Sequence, residues 1–175
     1  MCMPASFVIH WTKRLKKVYW SKNSDNHHRI ITEFKLKERN VRQDILIVRC
    51  EIIPPKLDYR LPLIKWKFKT DQDILPPDYD ANLAEKLCRK KLSEWKKANV
   101  VMPDKIITIR NGYIAACYGK VKAYDKSTVT AYDKSTVKAY DSSTVISYND
   151  SIFISSPKAV HVNRQTSKIT CQIGE

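Results

Sequence analysis

Apolar residues in the second half of the chain recur in pairs, two positions apart, with a period of eight. Residues 121–144 read VKAYDKST, VTAYDKST, VKAYDSST without a gap, and VISYNDSI at 145–152 keeps the frame. Within each octad the apolar pair is Val and Ala, as in Val129 with Ala131 and Val137 with Ala139. Side chains two apart share one face of a strand, so each octad predicts one short strand with an inward Val-x-Ala. The residue between them (Lys122, Thr130, Lys138) and the Tyr after Ala should then point outward. Asp-Lys-Ser or Asp-Ser-Ser follows, turn chemistry that bonds its own backbone and redirects the chain. A period of eight is no helical repeat, and Val, Thr and Tyr favour strands. One strand and corner cannot enclose a core, but stacked on copies of itself it can, as a β-solenoid.

The frame extends in less regular units. Upstream lie 106–109 (IITI) and 114–119 (IAACYG); downstream lie 153–155, 160–162 and 169–171, about nine strand-and-corner units over 106–175. Two octads per coil would give a flattened, two-sided solenoid of about four coils, and three per coil a triangular one of about three. The two-sided form is preferred.

The units AYDKSTVT and AYDKSTVK resemble the octapeptide of bacterial ice-nucleation proteins, whose arrays are two-sided solenoids. They are still more similar to the AYDSSTV arrays that close many uncharacterised bacterial and phage proteins, in which a small leading domain with an ILP…W segment and a helix precedes the array. The matching pieces here are Asp73-Ile74-Leu75-Pro76 and the helix containing Glu94-Trp95. This likeness spans most of the chain and implies the architecture, without implying a mechanism.

Before residue 105 the pattern mixes periods of two and of about four. Segments 5–11 and 17–20 read as strands around a basic turn. Asp25 is placed to cap a helix over 27–36, with Ile30, Ile31 and Phe34 on one face. The run 44–53 (DILIVRCEII) reads as a central strand, stopped by Pro54-Pro55. Residues 64–69 alternate as a half-buried strand with three lysines on its open face. A Pro- and Asp-rich connection leads into a helix over 81–98, with Asp78 or Asp80 at its N-terminus. On that helix Ala84, Leu87, Cys88, Leu92 and Trp95 should face the sheet, with Lys86, Arg89, Lys90, Lys96 and Lys97 largely opposite. The predicted fold is thus an α+β leading domain over 1–104 followed by a short β-solenoid (parallel β-helix) over 105–175. The leading domain is expected to cover the open first coil, whose edges would otherwise stay unpaired.

Charge changes the picture more than composition does. The 175 residues carry 32 Lys and Arg against 18 Asp and Glu, a net charge of +14. Residues 1–105 hold 23 of those bases against 13 acids, so the excess lies mainly in the leading domain. Its candidate polyanion-binding residues are Lys13, Arg14, Lys16, Lys17, Lys65, Lys67, Lys69, Lys86, Arg89, Lys90 and Lys97, interleaved with Trp11, Tyr19, Trp20, Trp66 and Trp95. Basic patches with aromatics suit phosphate backbones and unpaired bases, whereas a merely solvated lysine-rich face would carry the same charge. On the array, Tyr124, Tyr132, Tyr140 and Tyr148 form a candidate recognition surface. Ice binding would need an uncharged threonine plane, which Lys122, Lys126, Lys134 and Lys138 interrupt.

Other chemistry is sparse. The five cysteines show no CxxC spacing and read as reduced thiols, Cys50 and Cys88 as core fillers. His27 and His28 beside Asp25 diverge on a helix and read as a surface turn. No phosphate loop, nucleophile elbow or zinc spacing occurs, so no metal, cofactor or catalytic residue is expected. No apolar run of membrane-spanning length exists and the start lacks a signal-peptide core, which reads as a cytoplasmic protein with no membrane partner. The function expected is a non-enzymatic macromolecular binding protein whose partner is nucleic acid or an acidic protein. The resemblance adds a phage or mobile-element protein that inhibits a host defence complex. An enzyme with a cleft between helix 81–98 and the sheet is the remaining alternative. A homodimer through the solenoid is also expected, end to end over 160–175, with Ile169 and Ile173 in the contact.

Overall fold

Strands sixteen residues apart lie side by side in the second half of the chain, which is the two-octad coil. The structure, a computed structural model, describes residues 5–40, 42 and 44–164. It divides into two units, Met1–Lys96 and Lys97–Glu175.

In the first unit β1 (Ala5–Trp11) and β2 (Lys16–Tyr19) form an antiparallel hairpin. Helix α1 (His27–Glu33) follows, then β3 (Ile47–Ile53) and β4 (Lys67–Thr70), giving a sheet of order β2-β1-β3-β4. The expected central strand is therefore interior, though it starts at Ile47. On one face of this sheet α1 packs Ile30 and Ile31 against Val8 and Ile47. Helix α2 (Ala81–Asn99) lies against the other, with Cys88 and Cys50 of β3 both buried and close enough to interact. As the spacing predicts, Ala84, Cys88, Leu92 and Trp95 are buried. Asp80 caps the helix, accepting from Asn82 N at 2.8 Å and Leu83 N at 3.1 Å.

Three local expectations change. Asn26, not Asp25, caps α1 by accepting from Arg29 N, and the helix ends at Glu33 with Phe34 as its C-cap. Residues 64–69 do not form one strand: a 3-10 turn over Leu63–Lys65 precedes β4. Trp66 is drawn into an aromatic cluster with Tyr59 and Trp95, with ring centroids at 5.6 and 6.3 Å, and its Nε1 donates to Leu61 O.

The solenoid opens at β5 (Val100–Val101), whose valines pair in register with Ala116 and Cys117. Then come β6 (Ile106–Arg110), β7 (Tyr113–Cys117), β8 (Lys120–Tyr124), β9 (Thr128–Ala131), β10 (Thr136–Ala139), β11 (Thr144–Ser147), β12 (Ile152–Ser155) and β13 (Val160–Asn163). They build two parallel sheets, β12-β10-β8-β6 and β13-β11-β9-β7-β5. The solenoid is thus two-sided, with about four coils over residues 100–163. Val137 pairs with Val121 and Thr144 with Thr128, so like residues of the octads stack, and the register shifts only between Ile114 and Cys117 where β7 meets β9. The core holds Val121, Ala123, Val129, Ala131, Val137, Ala139 and Val145. Toward β13 it turns polar: Ser147 Oγ meets His161 Nε2 at 2.7 Å, and Phe153 stacks on His161 at 4.1 Å. At Gly119 an added Cβ would lie 2.4 Å from both Met102 O and Lys105 O, so only glycine fits there.

Candidate binding surfaces

The two faces of the solenoid differ. Between the inward positions of β9 and β11 stand Thr130 and Ile146, both buried, at 4% and 2% exposure. The same positions of β8, β10 and β12 hold Lys122, Lys138 and Ile154, all exposed. The residue between Val and Ala therefore points away from the core everywhere, as expected, but only the β6–β8–β10–β12 face presents it to solvent. On that face Ile106, Lys120, Thr136 and Ile152 form one ladder, and Thr108, Lys122, Lys138 and Ile154 a second. Adjacent strands are about 4.8 Å apart, so Lys122 and Lys138 are cross-strand neighbours of like charge, a destabilising pairing. These two ladders contain no acid.

The tyrosines do form ladders, in two columns. Tyr124 stacks on Tyr140 at 4.6 Å and 10°, and the Arg110 guanidinium lies 4.5 Å from the Tyr124 ring. Tyr118, Tyr132 and Tyr148 form the second column, with centroids 5.6 and 5.0 Å apart. Burial pushes the Tyr132 hydroxyl up, so that ring stays protonated and neutral.

The basic residues of the first unit are spread over it. Lys16 and Lys17 lie on β2 at one edge of the sheet, Lys67 and Lys69 on β4 at the other. Lys13 and Arg14 occupy the exposed β1–β2 turn, and Lys65 the turn before β4. Lys86 and Lys90 are exposed on α2, as is Lys97 in the second unit. Several are already engaged: Lys16 bonds Asp78 at 3.2 Å and holds that carboxyl below its usual range. Lys69 pairs with Asp71 at 3.0 Å. Arg89 bonds Glu85, Leu63 O and Trp66 O, which makes it a strut between α2 and the segment before β4.

Sequence reasoning passed over one cluster. His27 is buried rather than at the surface, and its ring Nε2 is 3.0 Å from Cys50 O. A carbonyl only accepts, so Nε2 donates to it, and this turns Nδ1 toward Asp71. Nδ1 lies 3.5 Å from Asp71 Oδ2, and ligand atoms of His27, Glu51 and Asp71 all fall within 4.8 Å of one another. The signal was the divergence of His27 and His28, which sends one ring outward and the other onto the sheet.

Cys50 and Cys88 are core fillers, as expected. The Cys50 hydrogen bond, then burial, pushes the Cys88 thiol far up, and His27 engages the carbonyl of Cys50 rather than its sulfur. Among the described residues no helix is long and apolar enough to cross a membrane. Ile169 and Ile173, named for the end-to-end dimer, lie outside the described residues. No protein-family model matches the chain, and no curated protein or solved structure shows significant similarity to it.

Proposed function

We propose that this chain is a binding protein rather than an enzyme, and that it holds an extended polyanion, single-stranded nucleic acid, along the open face of its solenoid. The carrying observation is the acid-free pair of ladders on β6–β8–β10–β12, with Lys120, Lys122 and Lys138 at its centre. Like charges held side by side by the register repel one another, and a phosphate between them relieves that repulsion. Arg110 and the Tyr124–Tyr140 column flank the lysines and supply planar groups for bases. The lysines of the first unit add a diffuse positive field that speeds encounter.

Affinity for a single-stranded oligonucleotide should fall linearly in log salt. Single strands contribute about 0.7 to that slope per phosphate neutralised, so three array lysines give about −2. The double variant Lys122→Glu, Lys138→Glu should weaken binding and flatten the slope, while Lys86→Gln with Lys90→Gln should leave most of it. Absence of binding at low salt, or an unchanged slope in the array variant, would overturn the assignment.

A further inference from the structure

We infer that His27, Glu51 and Asp71 hold one divalent transition-metal ion in the first unit, independently of the solenoid face. Three separate segments bring the ligands together: the first residue of α1, the middle of β3 and the residue after β4. His27 is the decisive member. Its side chain is 9% exposed, and donation from Nε2 to Cys50 O fixes the ring orientation, with Nδ1 left as the nitrogen facing Asp71. Metal-ligating histidines are held in this way, by a carbonyl or carboxylate on the nitrogen that does not bind.

The Nδ1–Oδ2 separation points the same way. At 3.5 Å it is long for a hydrogen bond, which for N–H···O spans about 2.7–3.2 Å. Two donors each about 2.0–2.1 Å from zinc at a tetrahedral angle lie about 3.4 Å apart. Asp71 divides its oxygens, Oδ1 to Lys69 at 3.0 Å and Oδ2 toward His27. Lys69 is more than half exposed, and such a pair contributes little, so a dication displaces it at small cost. An unpartnered hydroxyl lies alongside: Ser6, 1% exposed, stands opposite Glu51 across β1 and β3, and its Oγ has no hydrogen-bond partner among the described residues. Cross-strand neighbours have Cβ atoms about 5 Å apart, within reach of a water on the metal. A cleft of about 380 Å³, bordered by Arg49 and Gln72, opens beside Asp71.

One imidazole and two carboxylates select against magnesium and calcium, which prefer all-oxygen shells, and against copper(I), which prefers sulfur. Zinc fits the donor set, as does cobalt(II) as its spectroscopic stand-in.

The test titrates the full chain with zinc chloride and with cobalt chloride. The expected result is one equivalent bound, a raised Tm, and a tetrahedral cobalt spectrum without thiolate charge-transfer bands. Asp71→Asn and Glu51→Gln should each weaken zinc binding at least about tenfold, with the metal-free Tm showing that each still folds. His28→Ala, beside the site, should bind as the parent does. If His27→Gln fails to fold, the Asp71→Asn comparison decides. Absence of stoichiometric binding, a thiolate band, or parental affinity in Asp71→Asn would each overturn the site.

Discussion

At five corners of the array a residue other than glycine takes positive φ: Asn111 at 48°, Asp125 at 57°, Asp133 at 51°, Asp141 at 54° and Asn149 at 54°. Asp and Asn tolerate this region because their short side chains bond locally, so the Asp of each octad is there for backbone shape. The serine two positions on closes the turn, Ser127 N to Tyr124 O at 3.2 Å, and its Oγ donates to the same carbonyl at 2.6 Å. The turn chemistry was legible in the sequence, but the inward burial of Ser127, Ser135 and Ser143 was not. A polar residue inside a narrow core is conceivable only once its partner is known, and for Ser127 and Ser143 that partner is a carbonyl of the corner itself, Tyr124 O and Tyr140 O. His27 was misread for a related reason: its partner sits on a strand about 23 residues away. Cys117 carries a testable consequence at this scale. Burial pushes its thiol up to about 11. The folded state therefore keeps its proton when the unfolded chain, ionising near 8.5–9, has lost it. That contribution is whole below pH 8.5 and is lost as pH rises toward 11, at most about 2–3 kcal/mol at one pKa unit per 1.4 kcal/mol. Between pH 8 and 10.5 the parent should lose more stability to chemical denaturation than Cys117→Ala. Parallel pH profiles would contradict the burial assigned to this thiol.

Elements with one dominant period were readable. Strand β10 pairs Val137 between Val121 and Phe153, and α2 keeps its apolar stripe from Ala84 to Trp95, about three turns. The segment 64–69 alternates as cleanly as either, yet its first half is a turn, because burying Trp66 against Tyr59 and Trp95 outweighs the alternation. Tertiary packing of a large aromatic overrides a short-range pattern. For the array, the pattern and the packing agree, and substitutions should show it. Val137→Asp places an unpaired charge at a position with 0% exposure, costing several kcal/mol. Lys138→Asp, one residue on and exposed, should shift stability by no more than about 1 kcal/mol. Thermal melts by circular dichroism should show loss of the array transition in the first and its retention in the second. Equal melts would mean that Val137 does not face the core.

Across the whole molecule the octad proves to be half of the repeating unit. The residue between Val and Ala runs Lys122, Thr130, Lys138, Ile146, alternating between the open face and the buried one. Removing residues 121–136 would join Lys120 to Val137, set Lys138 where Lys122 was, and leave every later strand in its own sheet. Removing residues 121–128 would instead move Lys138 to the buried place of Thr130 and expose Ile146. The sixteen-residue deletion should keep a cooperative melt, and the eight-residue deletion should lose it or aggregate. Equal behaviour of the two would contradict the two-sided assignment of the outer residues. The same parity bears on inheritance. Three octads so nearly identical are encoded by tandem repeats, which slip and recombine in multiples of eight codons. Half of those events, the odd ones, keep the reading frame of the message yet exchange the outer residues of the open and the buried face. Selection on this chain then acts as a second frame above the codon, and lineages that lengthen or shorten the array should do so by pairs.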